Sequence, residues 1–255
     1  MLLAVDVGNT NTVFALFKGD DLFQSWRCKT ETSRSGDEYA VFLNQLFALS
    51  KTDLTAIADV IVSSVVPEAN FHIESFCKKY IHCDPLFVDN KNVDIKIDLD
   101  QPAEVGADRI VNAVAVMAHY NTPAVVIDFG TATTFDVIDK GGEYRGGVIA
   151  PGIRLSVEAL TRRAAKLPQI NISKPERVIG KNTLEAMQSG IYWGYIGLIE
   201  GILSRIQDEM KVKSTVIATG GLAPLYTQST KMINIVDENL ILKGLLEIYK
   251  KKRMK

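Results

Sequence analysis

The sequence predicts an α/β protein of two similar halves, each a mixed sheet opened by a three-strand meander and flanked by helices. Two observations carry that prediction. The first is a repeated grammar. The apolar run Leu2-Leu3-Ala4-Val5 enters Asp6-Val7-Gly8-Asn9-Thr10-Asn11-Thr12 and a second strand from Val13 to Phe17. Ala124-Val125-Val126-Ile127 likewise enters Asp128-Phe129-Gly130-Thr131-Ala132-Thr133-Thr134 and the strand Phe135-Asp136-Val137-Ile138. The second observation is that, after each meander, apolar strands alternate with helical patterns, the order of an α/β sheet.

In each copy a carboxylate ends a strand, a residue without Cβ lets the backbone turn tightly, and hydroxyl or amide side chains come next. Such a turn offers N–H groups and hydroxyls to an anion, while the carboxylate can hold a counter-cation. One copy alone also reads as an ordinary hairpin. The duplication is the more specific feature. Two acidic phosphate hairpins facing each other across a cleft resemble the actin, sugar-kinase and heat-shock ATPase superfamily. That resemblance implies two actin-like (ribonuclease H-like) halves with the active site in the cleft, here divided as residues 1–118 and 119–255.

Bulk properties narrow the function classes. A chain of 255 residues, 47% hydrophobic and 23% charged, has the composition of a soluble globular protein with a large core. A net charge of −1 gives no sign of nucleic acid or of an anionic membrane as partner. No basic n-region precedes the first strand, and runs such as Ile110 to Ala118 are too short to span a bilayer, so a cytoplasmic location is expected. His72, Cys77, His82 and Cys83 lie near one another but lack knuckle spacing; they read as a zinc site or as thiols on a helix and its exit.

In chain order, the first meander occupies residues 1–29, continuing through Gly19-Asp20-Asp21 into Leu22 to Trp26. Residues 30–36 are polar and loop-like, and Asp37-Glu38 opens a helix whose stripe is Tyr39, Phe42, Leu43, Leu46 and Phe47. A buried strand over 58–66 meets Pro67, a helix spans about 68–80, and a short strand covers 85–88. Residues 89–103 read as a loop with a strand at Val93–Ile97. Glu104-Val105-Gly106-Ala107-Asp108-Arg109 then enters a helix, placing Asp108 in its first turn. Asp there is favoured by capping and by the helix dipole; equally, a carboxylate and a guanidinium side by side at a helix start could face a ligand.

The second meander begins at about Thr122. Gly146-Gly147-Val148-Ile149-Ala150-Pro151-Gly152 is a glycine-rich turn before a helix at 155–163, suggesting close backbone approach to a ligand or to another segment. An irregular stretch between Pro168 and Pro175 leads to Gly180-Lys181-Asn182-Thr183 and a long helix over 184–210. Gly190, Gly194, Gly197 and Gly201 give that helix a small-residue stripe suited to packing another helix. The strand at 216–218 ends in Thr219-Gly220-Gly221, where open α/β sheets bind nucleotides. A final amphipathic helix is expected over 238–252.

Taken together, DVGNTNT (6–12), SSVVP (63–67), EVGADRIVNA (104–113), DFGTATTFDVI (128–138), GGVIAPGI (146–153), GKNT (180–183) and TGG (219–221) resemble the type III pantothenate kinase family over essentially the whole chain. The resemblance implies ATP-dependent phosphorylation of the terminal hydroxyl of pantothenate, the first step towards coenzyme A. It implies that Asp6 holds magnesium, through water, and that Asp6, Val7, Gly8, Asn9, Thr10, Asn11, Thr12 and Val13 with Thr131 bind the nucleotide's phosphates. Gly220 and Gly221 would lie near its adenosine end. Asp128 would hold a monovalent cation, potassium or ammonium. Asp108 would be the catalytic base, and Gly106, Ala107, Asp108, Arg109 and Thr183 would hold pantothenate. A homodimer is implied too, with the helix 184–210 as a surface for it. Ala164 departs from the family pattern, which has Thr there. Other kinases of the scaffold, and a non-catalytic nucleotide-binding regulator on the same fold, are the alternatives; Gly106-Ala107-Asp108-Arg109 argues against the first and the retained base against the second.

Overall fold

The computed structural model describes residues 1–163, Pro168 and residues 170–253; Ala164 lies outside them. The chain forms two compact units, one of Met1–His119 with the segment from Leu240 onward, the other of Tyr120–Asn239.

The first unit contains β1 (Leu2–Val7), β2 (Asn11–Lys18), β3 (Asp21–Lys29), α1 (Gly36–Leu49), β4 (Asp59–Ser64), α2 (Pro67–Phe76), β5 (Leu86–Phe87) and α3 (Ala107–His119). Its sheet has the order β3-β2-β1-β4-β5. β1 is antiparallel to β2 and parallel to β4. Because both faces of β1 are covered, it reads as a continuous apolar run rather than an alternation. Leu3, Val5 and Val7 join Tyr39, Leu43, Phe47, Ile73 and Phe76 of α1 and α2 in one core; Leu2 and Ala4 join Ile110, Val111 and Val114 of α3 in another. The run breaks at Asp6, the first polar residue of the strand. α1 begins with a capping box: Ser35 Oγ accepts the Glu38 N–H, and the Glu38 carboxylate accepts the Ser35 N–H at 2.8 Å.

Residues 93–97 do not form the expected strand. Val93, Ile95 and Ile97 rest half-buried against the α3 side of the core, and only Ile97 makes an isolated bridge. A segment lying along a core needs one apolar edge whether or not a second strand pairs with it, so alternation alone cannot tell the two apart.

The second unit repeats the plan: β6 (Ala124–Phe129), β7 (Ala132–Ile138), β8 (Tyr144–Pro151), α4 (Ile153–Arg163), α5 (Thr183–Met210), β9 (Thr215–Thr219), α6 (Ala223–Thr227) and β10 (Ile235–Val236). Its sheet order, β10-β9-β6-β7-β8, matches the first strand for strand, with β6 antiparallel to β7 and parallel to β9. Val125, Ile127, Phe129, Phe135 and Val216 pack against Tyr192, Tyr195, Ile196, Ile199 and Leu203 of α5 and Tyr226 of α6. Tyr226 stacks on Phe129 and on Tyr192, with centroid separations of 5.7 and 5.2 Å.

The last helix, α7 (Leu240–Arg253), belongs to the first unit, whereas the sequence predicts a second domain made of everything beyond residue 118. Leu242, Leu245, Leu246 and Ile248 share a core with Leu2, Ala4, Ile61, Ile110 and Val114. The reason is width. Five strands about 4.8 Å apart make a face roughly twice as wide as a helix of ~10 Å diameter, so α3 alone cannot cover it.

Candidate active site

In the first unit the Gly8 N–H donates to the Asn11 carbonyl at 3.0 Å, closing a tight turn over Asn9-Thr10 at the end of β1. Asn9, Thr10 and Asn11 are exposed, whereas Thr12 is fully buried. Asp6 stands one residue before the end of β1, level with Val13 of β2 and Ser63 of β4. The Val7 carbonyl accepts the Val65 N–H at 3.1 Å. Val65 in turn lies beside Gly106: its Cγ1 is 3.5 Å from where a Cβ at that glycine would stand. The segment Ser63 to Pro67 thus joins the first turn to the start of α3.

At that start the Gly106 carbonyl accepts the N–H groups of Arg109 and Ile110 at 3.1 and 3.2 Å. The Asp108 carboxylate folds back over the opening turn: its Oδ1 accepts the Arg109 N–H at 2.8 Å and lies 2.5 Å from the ideal Cβ position of Gly106. Gly106, Ala107, Asp108 and Arg109 are all half-buried. Capping and exposure to a ligand are therefore compatible here. One carboxylate oxygen serves the helix, and the group as a whole stays within reach of solvent.

In the second unit Asp128 occupies the position of Asp6, one residue before the end of its strand and level with Thr134 and Thr219. Three glycines crowd it and the turn beyond it. Gly220 has φ +87°, a conformation that favours glycine, and a Cβ there would come 2.9 Å from Asp128 Oδ1 and 2.8 Å from the Phe129 carbonyl oxygen. A Cβ at Gly130 would stand 3.7 Å from Asp128 Oδ1. Gly152 sits hard against the Thr131 carbonyl, its missing Cβ position 2.7 Å from the carbonyl carbon. The glycine-rich stretch before α4 does approach another segment closely, and that segment is the second turn. Tyr195 of α5 secures the same corner by donating its hydroxyl to the Pro151 carbonyl and standing 3.5 Å from Thr133 Oγ1. Burial raises the pKa of that hydroxyl.

Gly180-Lys181-Asn182-Thr183 is a capping device. Asn182 Oδ1 accepts the Glu185 N–H at 2.9 Å, and the Glu185 carboxylate accepts the Lys181 N–H at 2.9 Å, which holds its pKa below the usual carboxylate range. Thr183 is consequently fixed, exposed, as the first residue of α5. Gly221 has open space at its Cβ position. So do Gly190, Gly194 and Gly197 on α5, where an added Cβ meets nothing within 4 Å among the described residues.

The donors present suit the ions that nucleotide chemistry needs. Among the described residues no group of three or more His, Cys, Asp or Glu could form a protein cage for a metal. Asp6 supplies one carboxylate, which matches magnesium held chiefly by phosphates and water. Beside the Gly220 Cβ position stand Asp128 Oδ1 at 2.9 Å and the Phe129 carbonyl oxygen at 2.8 Å, oxygen donors of the kind that suit hard cations. Among the described residues no helix is long and apolar enough to cross a membrane.

Sequence reasoning gives no role to Thr30, Tyr195 or Gly152 at these turns. Only the glycine carries a signal, its place in a glycine-rich turn.

Known proteins resemble this chain over most of its length. Residues 2–205 match the family model of type III pantothenate kinase. The chain is 52% identical over 253 residues to the type III pantothenate kinase of Paramagnetospirillum magneticum, covering 98% of this chain and 97% of that protein. Among solved structures, a Campylobacter jejuni protein assigned to the Baf family of transcriptional activators aligns with a TM-score of 0.63 at 18% identity, over 99% of this chain and 100% of that one. The activator of 2-hydroxyisocaproyl-CoA dehydratase from Clostridium difficile, solved with bound ADPNP, aligns at 0.57 and 15% identity over 99% and 97% of the two chains. At these identities the two structures speak for the fold alone.

Proposed function

This chain belongs to the type III pantothenate kinase family and phosphorylates pantothenate with ATP to give 4'-phosphopantothenate, and from that premise we propose how its residues divide the work. The observation that carries the division is the equivalence of Asp6 and Asp128. Each stands one residue before the end of the central strand of a sheet of the same order, and each leads into a glycine turn.

Asp6 orients the magnesium ion through water, and the backbone of Val7 to Val13 with Thr131 binds the phosphates. Gly220 and Gly221 adjoin the adenosine end. Asp128 holds a potassium or ammonium ion. These ions, when bound, neutralise the phosphate charge that would otherwise repel an incoming hydroxyl. Asp108 takes the proton from the terminal hydroxyl of pantothenate as the phosphoryl group transfers. Its support is the half-buried carboxylate at the first turn of α3, which lies over Gly106 and accepts the Arg109 N–H. Arg109 holds the pantothenate carboxylate, for which a guanidinium fork is suited, and Gly106, Ala107 and Thr183 are further residues assigned to pantothenate. Phosphoryl transfer asks mainly for positioning and charge compensation, so a single carboxylate base suffices. ATP as donor favours the cytoplasm as the place of work.

The enzyme works as a homodimer in this reading, the occupant of the α5 glycine stripe being a second copy. Exposed Ile149, Leu155, Ile179 and Leu184 in the same unit support an apolar partner surface. The testing experiment is a phosphoryl-transfer assay with ATP, magnesium and pantothenate, run in potassium and then in sodium. Turnover that requires pantothenate and rises with potassium is expected. Turnover equal in the two salts removes the cation from the reading, and none in either removes the reading itself.

A further inference from the structure

Beyond the end of β3, Thr30 makes three bonds beneath the first turn. Its hydroxyl donates to the Gly8 carbonyl at 2.7 Å, its N–H donates to the Thr10 carbonyl at 3.0 Å, and its Oγ1 lies 2.9 Å from Thr12 Oγ1. A hydroxyl has one hydrogen. Since that of Thr30 goes to Gly8, Thr12 donates to Thr30. The segment after Thr30 is itself held: Arg34 Nη1 donates to Cys28 Sγ at 2.9 Å, and its guanidinium lies 5.6 and 5.7 Å from the ring centroids of Tyr39 and Phe42. Thr30 is thus an anchored post under a turn whose residues Asn9 and Thr10 are exposed, as is Asn11 at the start of β2.

Peptide planarity gives these bonds a consequence. In a trans peptide the C=O and the following N–H lie in one rigid plane and point in opposite directions within it. Holding the Gly8 carbonyl toward Thr30 therefore turns the Asn9 N–H away from it, and holding the Thr10 carbonyl does the same for the Asn11 N–H. We propose that Thr30 is a positioning residue of the nucleotide site, pinning two peptide planes of the turn so that the Asn9 and Asn11 N–H groups both face the phosphates and the carbonyls do not. The inference rests on the reading that residues 6–13 bind the phosphates. Thr30 never touches the nucleotide; it removes the freedom of two peptides to flip and present an oxygen to an anion.

The test compares Thr30→Val, which keeps the shape and the backbone bond but loses the hydroxyl, with Thr30→Ser, which keeps the hydroxyl. In T30V the KM for ATP is expected to rise about tenfold, the scale of one lost hydrogen bond. The KM for pantothenate stays within about twofold, and T30S restores ATP binding. An unchanged KM for ATP in T30V overturns the proposal, as does a parallel rise in both KM values or an equal loss in T30S, either of which marks a general structural role. Asp6→Asn run alongside separates the premises: if it leaves the KM for ATP unchanged, the nucleotide reading of this turn falls and the proposal with it. If it raises that KM while T30V does not, only the role of Thr30 falls. Should T30V fold poorly, amide spectra of the unmodified protein decide. The Asn9 and Asn11 N–H signals are expected to move downfield on adding a non-hydrolysable ATP analogue, and two stationary signals overturn the proposal.

Discussion

Replacing Gly152 by Ala puts a methyl group where the structure has none to spare. The new Cβ would meet the Thr131 carbonyl oxygen well inside contact distance, standing 2.7 Å from the carbonyl carbon and 2.9 Å from the Gly130 oxygen, whereas ordinary contact begins at 3.4 Å. All three atoms are backbone, so no rotamer change relieves the clash. Either the second turn or the start of α4 has to retreat by about 0.7 Å or more, the gap between the carbon distance and the contact limit. Overpacking of this kind costs ~1–3 kcal/mol, which at about 2–4 °C per kcal/mol lowers Tm by roughly 2–12 °C. The larger effect falls on catalysis. If Thr131 binds a phosphate, a displacement approaching 1 Å lowers kcat/KM roughly 30- to 100-fold. Steady-state kinetics at 25 °C beside a thermal melt measure both. Wild-type kcat/KM in a variant with an unchanged Tm would refute the reasoning, for it would mean that the turn yields freely and that its position does not matter.

Asp108→Asn should reduce turnover by ~10²–10⁴-fold while calorimetry shows pantothenate binding largely retained; full activity removes Asp108 as the base. Asp128→Ala should flatten the dependence of rate on potassium, and a potassium titration identical to wild type rules out the cation assignment. Gly194→Glu introduces a long charged side chain where a Cβ meets nothing within 4 Å among the described residues, so the fold should tolerate it while sedimentation velocity shows a dimer becoming a monomer. A dimer of undiminished stability places the interface elsewhere.

Much of this architecture was legible because the two meanders announce themselves. Each is an apolar strand broken by Asp, a glycine turn and a second strand, and a duplicated pattern is harder to produce by accident than a single one. The long helices were legible for the ordinary reason that their stripes repeat at helical spacing. What stayed hidden was partnership. The apolar stripe Leu242, Leu245, Leu246 says that α7 buries a face, but nothing in it says that the face meets Leu2 and Ala4. Gly152 signals a close approach without naming Thr131. Thr30 carried no signal, because its bonds run from a side chain to carbonyls distant in sequence, and in one dimension it is a polar residue in a polar loop. β10, two residues long, is below the length at which periodicity exists.

The return of α7 to the first unit also sets a timetable for synthesis. The whole second unit, Tyr120–Asn239, is translated between α3 and α7. At about 5–20 residues per second this interval lasts roughly 6–24 s. Throughout it the nascent first sheet has its α1–α2 side available to close, while the side bearing Leu2, Ala4 and Ile61 waits for its second cover. The later-made unit, being continuous, has every strand it needs before the earlier one is finished. A released chain ending at Asn239 would therefore carry a complete second unit and an incomplete first one, with a sticky apolar face that a chaperone could recognise.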